Sequence, residues 1–248
     1  MKFSKTNTDR GTALHLDGDS AGATAHVATF PNTVPFAAQF AAIGMEVDRY
    51  GNHLVTLDQL LKPEALTDEA RRTLPPVTIA AKAAIQAVQA ERRAIAAADT
   101  ILRAVEPGNS ALRSEIRTDW RGRSLAEQSD RVGIASHEEL AALMEGGQAV
   151  SRLPDAVWTM IEQRYITLNH VKRTGLQADY ERKATINELT ATGPDEAAAM
   201  RAAEAAVERH EARRTVVADA EASLNTIIPF IALATGERVD QAFNRLIA

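Results

Sequence analysis

Apolar positions recur at helical spacing over most of the chain, and the longest such pattern occupies residues 194–233. Its start has the features of a helix N-terminus. Thr192 or Gly193 flanks it, Pro194 stands near the first turn, and Asp195 and Glu196 complement the positive end of the dipole. No Gly or Pro follows until Pro229, so one helix of about 35 residues, roughly 50 Å long, is predicted. Ala203, Val217, Leu224 and Ile231 share a seven-residue column with His210, and Met200, Val207 and Ile228 share the next, which Arg214 and Glu221 interrupt. Columns of small and medium apolar residues mark helices packed nearly parallel. The polar interruption leaves two readings open: a polar layer that fixes register inside a helical seam, or a middle segment that faces water while both ends pack.

A second long helix is predicted from Pro75-Pro76 to about Val105. Ala81, Val88, Ile95 and Leu102 form its column, Ala84, Ala98 and Val105 flank it, and Glu106-Pro107-Gly108-Asn109 stops it. Residues 63–73, 110–120 and 136–145 read as shorter helices, the last closed by Gly146-Gly147. Residues 154–173 carry a clear amphipathic stripe of Val157, Ile161, Leu168 and Val171, with Trp158 and Tyr165 beside it. Gly175 ends that helix, and residues 177–190 are expected to continue as another. The final helix, residues 237–247, places Val239, Phe243 and Leu246 on one face.

Residues 1–60 differ, being rich in Gly, Thr, Ser, Asn and Asp. Short alternating patches occur at Leu14 and Leu16 and at Ala25, Val27 and Thr29. Residues 45–57 read as a β-hairpin with Gly51-Asn52 as a two-residue turn. Residues 36–43 read as a short helix closed by Gly44. The expected fold is therefore mainly α: an elongated helical bundle with two long helices, plus an N-terminal extended arm and β-hairpin. Residues 1–60 form the arm and residues 61–248 the bundle. No solenoid repeat and no low-complexity linker divides the chain.

Composition narrows the classes. A chain of 248 residues buries a core without staples, and a net charge of −5 with mixed signs argues against a dedicated nucleic-acid or anionic-membrane surface. The absence of cysteine removes disulfides, thiolate nucleophiles and Cys-ligated metals. Aromatics are 4% of residues and alanine is abundant, which favours slender, closely packed helices. The N-terminus has no apolar signal-peptide region, and no apolar run approaches the ~20 residues of a membrane helix; residues 227–233 come nearest and carry Pro229. A cytoplasmic or virion location is expected.

Candidate chemistry is sparse. Asp17-Gly18-Asp19-Ser20-Ala21-Gly22 resembles the Asp-Gly-Pro-Ser-Ala-Gly around the nucleophile of Lon-type Ser–Lys proteases, and Gly18-Asp19-Ser20 is similar to part of the chymotrypsin-like serine motif. The resemblance implies Ser20 on a tight turn, a base such as Lys62 or a histidine, and an oxyanion hole of backbone N–H groups. It covers about six residues, Asp19 stands where the Lon pattern has proline, and only His15 precedes Ser20. An ordinary Gly/Asp/Ser loop joining two strands accounts for the same residues. An EF-hand reading fails because the twelfth position is Ala28. The six histidines, His15, His26, His53, His137, His170 and His210, include no pair three or four apart and no Glu-x-x-His. No phosphate-binding glycine loop occurs. No metal or other cofactor is expected.

Two surfaces remain. Arg113, Arg117, Trp120, Arg121 and Arg123 form a basic patch that Glu115, Asp119 and Glu127 largely neutralise. A solvated face or an inter-subunit ion-pair surface accounts for it more simply than phosphate contact. Ile228, Phe230 and Ile231, with Val239, Phe243 and Leu246, either dock a partner or fold back on the chain's own bundle. Together with Arg121 and Arg123 they are the interface candidates. The expected function is a non-enzymatic structural or assembly protein, one subunit of a homo-oligomeric complex, in the manner of a phage virion component such as a head–tail connector or tail-type subunit. Its expected partners are copies of itself and other assembly proteins; no membrane or small-molecule partner is expected, and nucleic acid only by proximity. The alternatives are a serine hydrolase using Ser20 and a regulatory or nucleic-acid adaptor using the surface of residues 113–123.

Overall fold

The structure is a computed structural model that describes residues 1–18 and 21–247. Among these residues nine α-helices accompany one three-stranded antiparallel sheet, so the chain is mainly α. The chain divides into two compact units. The first comprises Met1–Ala94 and Arg213–Ala248, and the second Ile95–Ala212.

The first unit opens with a β-meander of β1 (Lys2–Thr8), β2 (Gly11–Asp17) and β3 (Gly22–Ala28). Thr8 pairs with Gly11, and Asp17 with Gly22. The register gives the sheet two chemically distinct faces. Leu14, Leu16, Ala25 and Val27 lie on one face and are buried, while His15, Asp17, Thr24 and His26 lie on the other. Residues 1–17 are thus a paired sheet and not an extended arm.

Helix α1 (Ala37–Asp58) packs against all three strands. It overturns the hairpin expected over residues 45–57, and it runs through the Gly44 expected to close a short helix. Phe40, Ile43, Val47, Tyr50 and Leu54 are all buried at three- and four-residue spacing, which a helix satisfies and a strand does not. Gly51 is a packing residue instead of a turn residue: a Cβ there would overlap the Phe3 ring. The Gly-Asn pair therefore imitates a turn signal while serving a close approach between β1 and α1.

Helix α2 (Pro63–Thr73) starts on its proline and receives the Tyr50 hydroxyl, which donates to the Ala70 carbonyl at 2.9 Å. Two long helices follow in the chain, α3 (Pro75–Arg103, 29 residues) and, after the second unit's shorter helices, α8 (Glu196–Thr235, 40 residues). Each contributes to both units. Within the first unit, Val77, Ala81, Ala84 and Val88 of α3 and Val217, Ala220, Ile227, Phe230 and Ile231 of α8 are buried. Arg213 Nε reaches Glu91 Oε1 at 2.8 Å, and Arg92 pairs with Glu221.

Pro229 lies inside α8 without ending it. Its missing N–H removes the helical bond to the Asn225 carbonyl, and Asn225 is exposed. An 18-residue window of α8 has a mean hydropathy of 1.4, long and apolar enough by composition to cross a bilayer, with 44% of it buried within the protein. Gly236 then turns the chain into α9 (Val239–Ile247).

The outer edge of β3 is closed by side chains of α8. The Ser223 hydroxyl accepts from Ala28 N at 3.0 Å and donates to the His26 carbonyl at 2.6 Å, and Thr226 Oγ1 accepts from His26 N at 2.8 Å. An edge strand's free N–H and C=O groups are thereby satisfied without a fourth strand.

The second unit holds α4 (Ser110–Gly122), α5 (Leu125–Val132), α6 (His137–Ser151) and α7 (Asp155–Thr174) around a core that includes Trp120, Leu140, Leu143, Val157, Ile161 and Tyr165. Asn109 caps α4, and Ser124-Glu127 and Ser136-Glu139 form capping boxes on α5 and α6. The last turn of α3 is closed from α7: Asn169 Nδ2 donates to the Leu102 carbonyl at 2.8 Å and Tyr165 donates to the Ala104 carbonyl at 2.8 Å. His210 is buried with Nε2 2.7 Å from Asp99 Oδ1, so the polar position in the α8 column joins two packed helices instead of facing water.

Residues 177–190 are not a helix. A 3-10 turn (Leu176–Asp179) follows α7, and residues 180–195 then form an irregular ladder. Gly175, at φ 67°, terminates α7 in the left-handed region. Asp195 caps α8, its Oδ1 accepting from Ala198 N at 2.8 Å.

Candidate functional site

The polar face of the sheet assembles the most reactive-looking group of side chains. Strand register sets Thr24 opposite His15, with Asp17 two residues along the same strand. Thr24 Oγ1 lies 2.7 Å from His15 Nδ1, and Asp17 Oδ1 lies 2.8 Å from His15 Nε2. A neutral imidazole with its proton on Nε2 satisfies both: the ring donates to Asp17 and accepts from the Thr24 hydroxyl. Gly22 leaves the room, since a Cβ there would press on Asp17 Oδ1. A hydroxyl, an imidazole and a carboxylate in line are the components of nucleophilic catalysis. Their setting is open: His15 and Asp17 side chains are 40% and 50% exposed, so the low-dielectric walls that strengthen such chemistry are lacking around them. Ser20, the nucleophile expected from the motif, lies outside the described residues, and Lys62 precedes the first residue of α2.

A groove of about 700 Å³ lies elsewhere in the first unit, bounded by α1, the loop after β3 and the sheet. Val27, Phe30, Phe40 and Met45 give it apolar walls, and Lys5 and Asp48, paired at 2.7 Å, stand at its rim. Phe30 meets Phe36 and Phe40 edge-on at 5.1 and 4.9 Å, which fixes the loop wall.

The interface candidates separate sharply. Phe230, Ile231 and Leu246 are buried in the first unit's own core, and Ile228 is half-buried. Val239 and Phe243 are exposed, at 58% and 45%. In α9 the apolar arc runs from Ala242 and Leu246, which are buried, through Val239 and Phe243 to Ile247, itself 60% exposed. Half of the arc is uncovered.

The basic patch of the second unit is mostly consumed internally. Arg113 is 2% exposed and donates to Glu138 at 2.8 Å and Glu145 at 2.9 Å. Arg117 bonds the Ala142 carbonyl and Glu145, and Arg123 forks onto Asp119 within its own turn. Arg121 is exposed and bonds the Arg117 carbonyl and Thr118. The Arg113 guanidinium holds the Glu138 carboxyl below the ordinary carboxylate range. Nearby, burial lowers His137, which stacks on Tyr165 at 5.3 Å, so its neutral form is favoured.

Sequence reasoning missed Thr24 and Asp17 as partners of His15, because their meeting depends on strand register. It also missed Ile186 and Leu189, which are 94% and 80% exposed on the arm of residues 180–195, by assigning that stretch to a helix. Among the described residues no cluster of three or more His, Cys, Asp or Glu is arranged to hold a metal ion. Comparison with protein-family models, curated proteins and solved structures finds no match.

Proposed function

We propose that the chain is a non-enzymatic structural or assembly protein that acts as one subunit of a homo-oligomeric complex. A phage head–tail connector or tail-type particle is the form of assembly this reading names. The observation that carries it is the half-covered apolar arc of α9. Val239, Phe243 and Ile247 stand one turn apart on an ordered helix whose other apolar positions are already committed to the core. A contiguous apolar row on a fixed helix gains free energy only when a second surface covers it. Mass photometry and light scattering on purified protein test the reading, with a multiple of the 26.8 kDa chain expected. A single-chain mass up to the highest soluble concentration overturns it.

A second reading has one observation in its favour. The hydrolase alternative requires a base oriented by a carboxylate, and His15, five residues before Ser20 in the sequence, is held in that way by Asp17. Labelling with a fluorophosphonate probe and mapping the modified residue decides it. Adduct at Ser20 or Thr24 that disappears in His15→Ala supports the hydrolase, and the absence of adduct at both removes it.

A further inference from the structure

We propose that the arm of residues 180–195 in one copy seats its tip in the groove beside α1 of a second copy, joining the chains head to tail. This inference rests on the assembly reading above and adds to the α9 row a second contact between copies. The arm is built in advance. Arg182 N donates to the Gly193 carbonyl at 2.9 Å, Asp195 N donates to the Tyr180 carbonyl at 2.7 Å, and Thr185 and Glu188 exchange backbone bonds at the turn. A preformed hairpin loses little conformational freedom on docking. Two of its apolar residues are uncovered, with Ile186 at 94% and Leu189 at 80% exposure.

The groove has what such a tip lacks. Val27, Phe30, Phe40 and Met45 form walls around about 700 Å³, room for two aliphatic side chains with space to spare. The charges also match. Arg182 and Glu188 pair at 2.5 Å beside the tip, and Lys5 and Asp48 pair at 2.7 Å on the rim. Each surface offers one cation and one anion, so Glu188 can turn to Lys5 and Arg182 to Asp48 without stranding a charge. Tip and groove are different surfaces, which makes the contact heterologous: repeated, it closes into a ring or extends as a filament.

Two exposed substitutions test it. Leu189→Asp spoils the tip and keeps the groove, and Ala41→Trp fills the groove from an exposed position of α1 and keeps the tip. With Phe243→Asp present throughout to silence the α9 row, light scattering should show each variant alone at single-chain mass, and their equimolar mixture at twice that mass and no higher. Such a mixture retains one good tip and one good groove, enough for a single contact. If wild type is oligomeric but the Phe243→Asp chain is monomeric, or if either variant keeps the mass of the Phe243→Asp chain, the arm–groove contact is wrong while the assembly reading stands. A mixture that stays at single-chain mass also overturns the contact. A wild-type chain that is itself monomeric overturns both.

Discussion

Replacing Ser223 with alanine and Thr226 with valine together removes the hydroxyls that close the sheet's outer edge. Two backbone donors, His26 N and Ala28 N, and the His26 carbonyl lose their partners on α8. A buried unsatisfied donor costs about 1–3 kcal/mol. His26 and Ala28 are half-buried, so water reaches them and about 1 kcal/mol each is the appropriate figure. Alanine at position 223 returns about 0.5 kcal/mol in helix propensity, leaving a net loss of about 1.5 kcal/mol. For a chain of this size that is a fall in Tm of roughly 3–6 °C. The two hydroxyls share His26, so the single substitutions need not add up to the double. Urea unfolding gives the midpoint and amide hydrogen exchange gives the location. The His26 and Ala28 amides, left without acceptors, should lose their protection beyond the roughly tenfold that the global loss gives every other amide, since about 1.4 kcal/mol is one factor of ten. The amides of β2, whose bonds are untouched, should follow only the global loss. An unchanged midpoint with unchanged exchange at His26 and Ala28 would refute the idea that α8 supplies the edge.

The other predictions are smaller in scope. Gly51→Ala should destabilise by about 1–2 kcal/mol despite alanine's advantage of about 1 kcal/mol in a helix, because its Cβ displaces the Phe3 ring. In a Phe3→Ala background the same substitution should become stabilising, and urea midpoints of the four proteins report the sign change. Arg113→Met should cost about 1–3 kcal/mol, below the 3–5 kcal/mol of a broken buried pair, because Glu138 and Glu145 are 46% and 40% exposed and turn to water. Comparing its urea midpoint with that of Glu138→Gln separates the lost pair from the lost packing. His137 is held neutral by burial, so its folded pKa lies below its unfolded one near 6.5 and the unfolded chain binds the extra proton as pH falls. Stability should therefore decline from about pH 7 toward pH 5.5, and His137→Gln should flatten that slope in urea titrations at the two pH values.

How far the sequence disclosed this fold depends on whether the signal was local. The columns Ala81–Val88–Ile95 and Ala203–His210–Val217 were readable because burial in a long helix repeats within one element. Helix α1 carries the same kind of stripe, yet Gly51-Asn52 offered a competing turn signal, and only the neighbouring Phe3 explains the glycine. Strand β1 was invisible: Lys2–Thr8 has no apolar alternation, since its residues are nearly all exposed and its order comes from pairing with β2. The same holds for the Thr24–His15–Asp17 array, a product of register. The helix expected over residues 177–190 is absent; nothing in composition distinguishes a short polar helix from a backbone ladder. The stripe of α9 was legible but not its orientation: Val239, Phe243 and Leu246 stand together as interface candidates in the sequence, and packing decides that Leu246 enters the core while Val239 and Phe243 stay exposed.

The first unit is made of two separated stretches of the chain, Met1–Ala94 and Arg213–Ala248, with the second unit encoded between them. Ala28 leaves the ribosome 195 residues ahead of the serine that completes its edge, an interval of roughly 10–40 s at ordinary elongation rates. Throughout that wait the nascent β-meander has an unguarded border that another growing chain could occupy. Closure of the N-terminal sheet thus waits for a segment translated after the whole of the second unit.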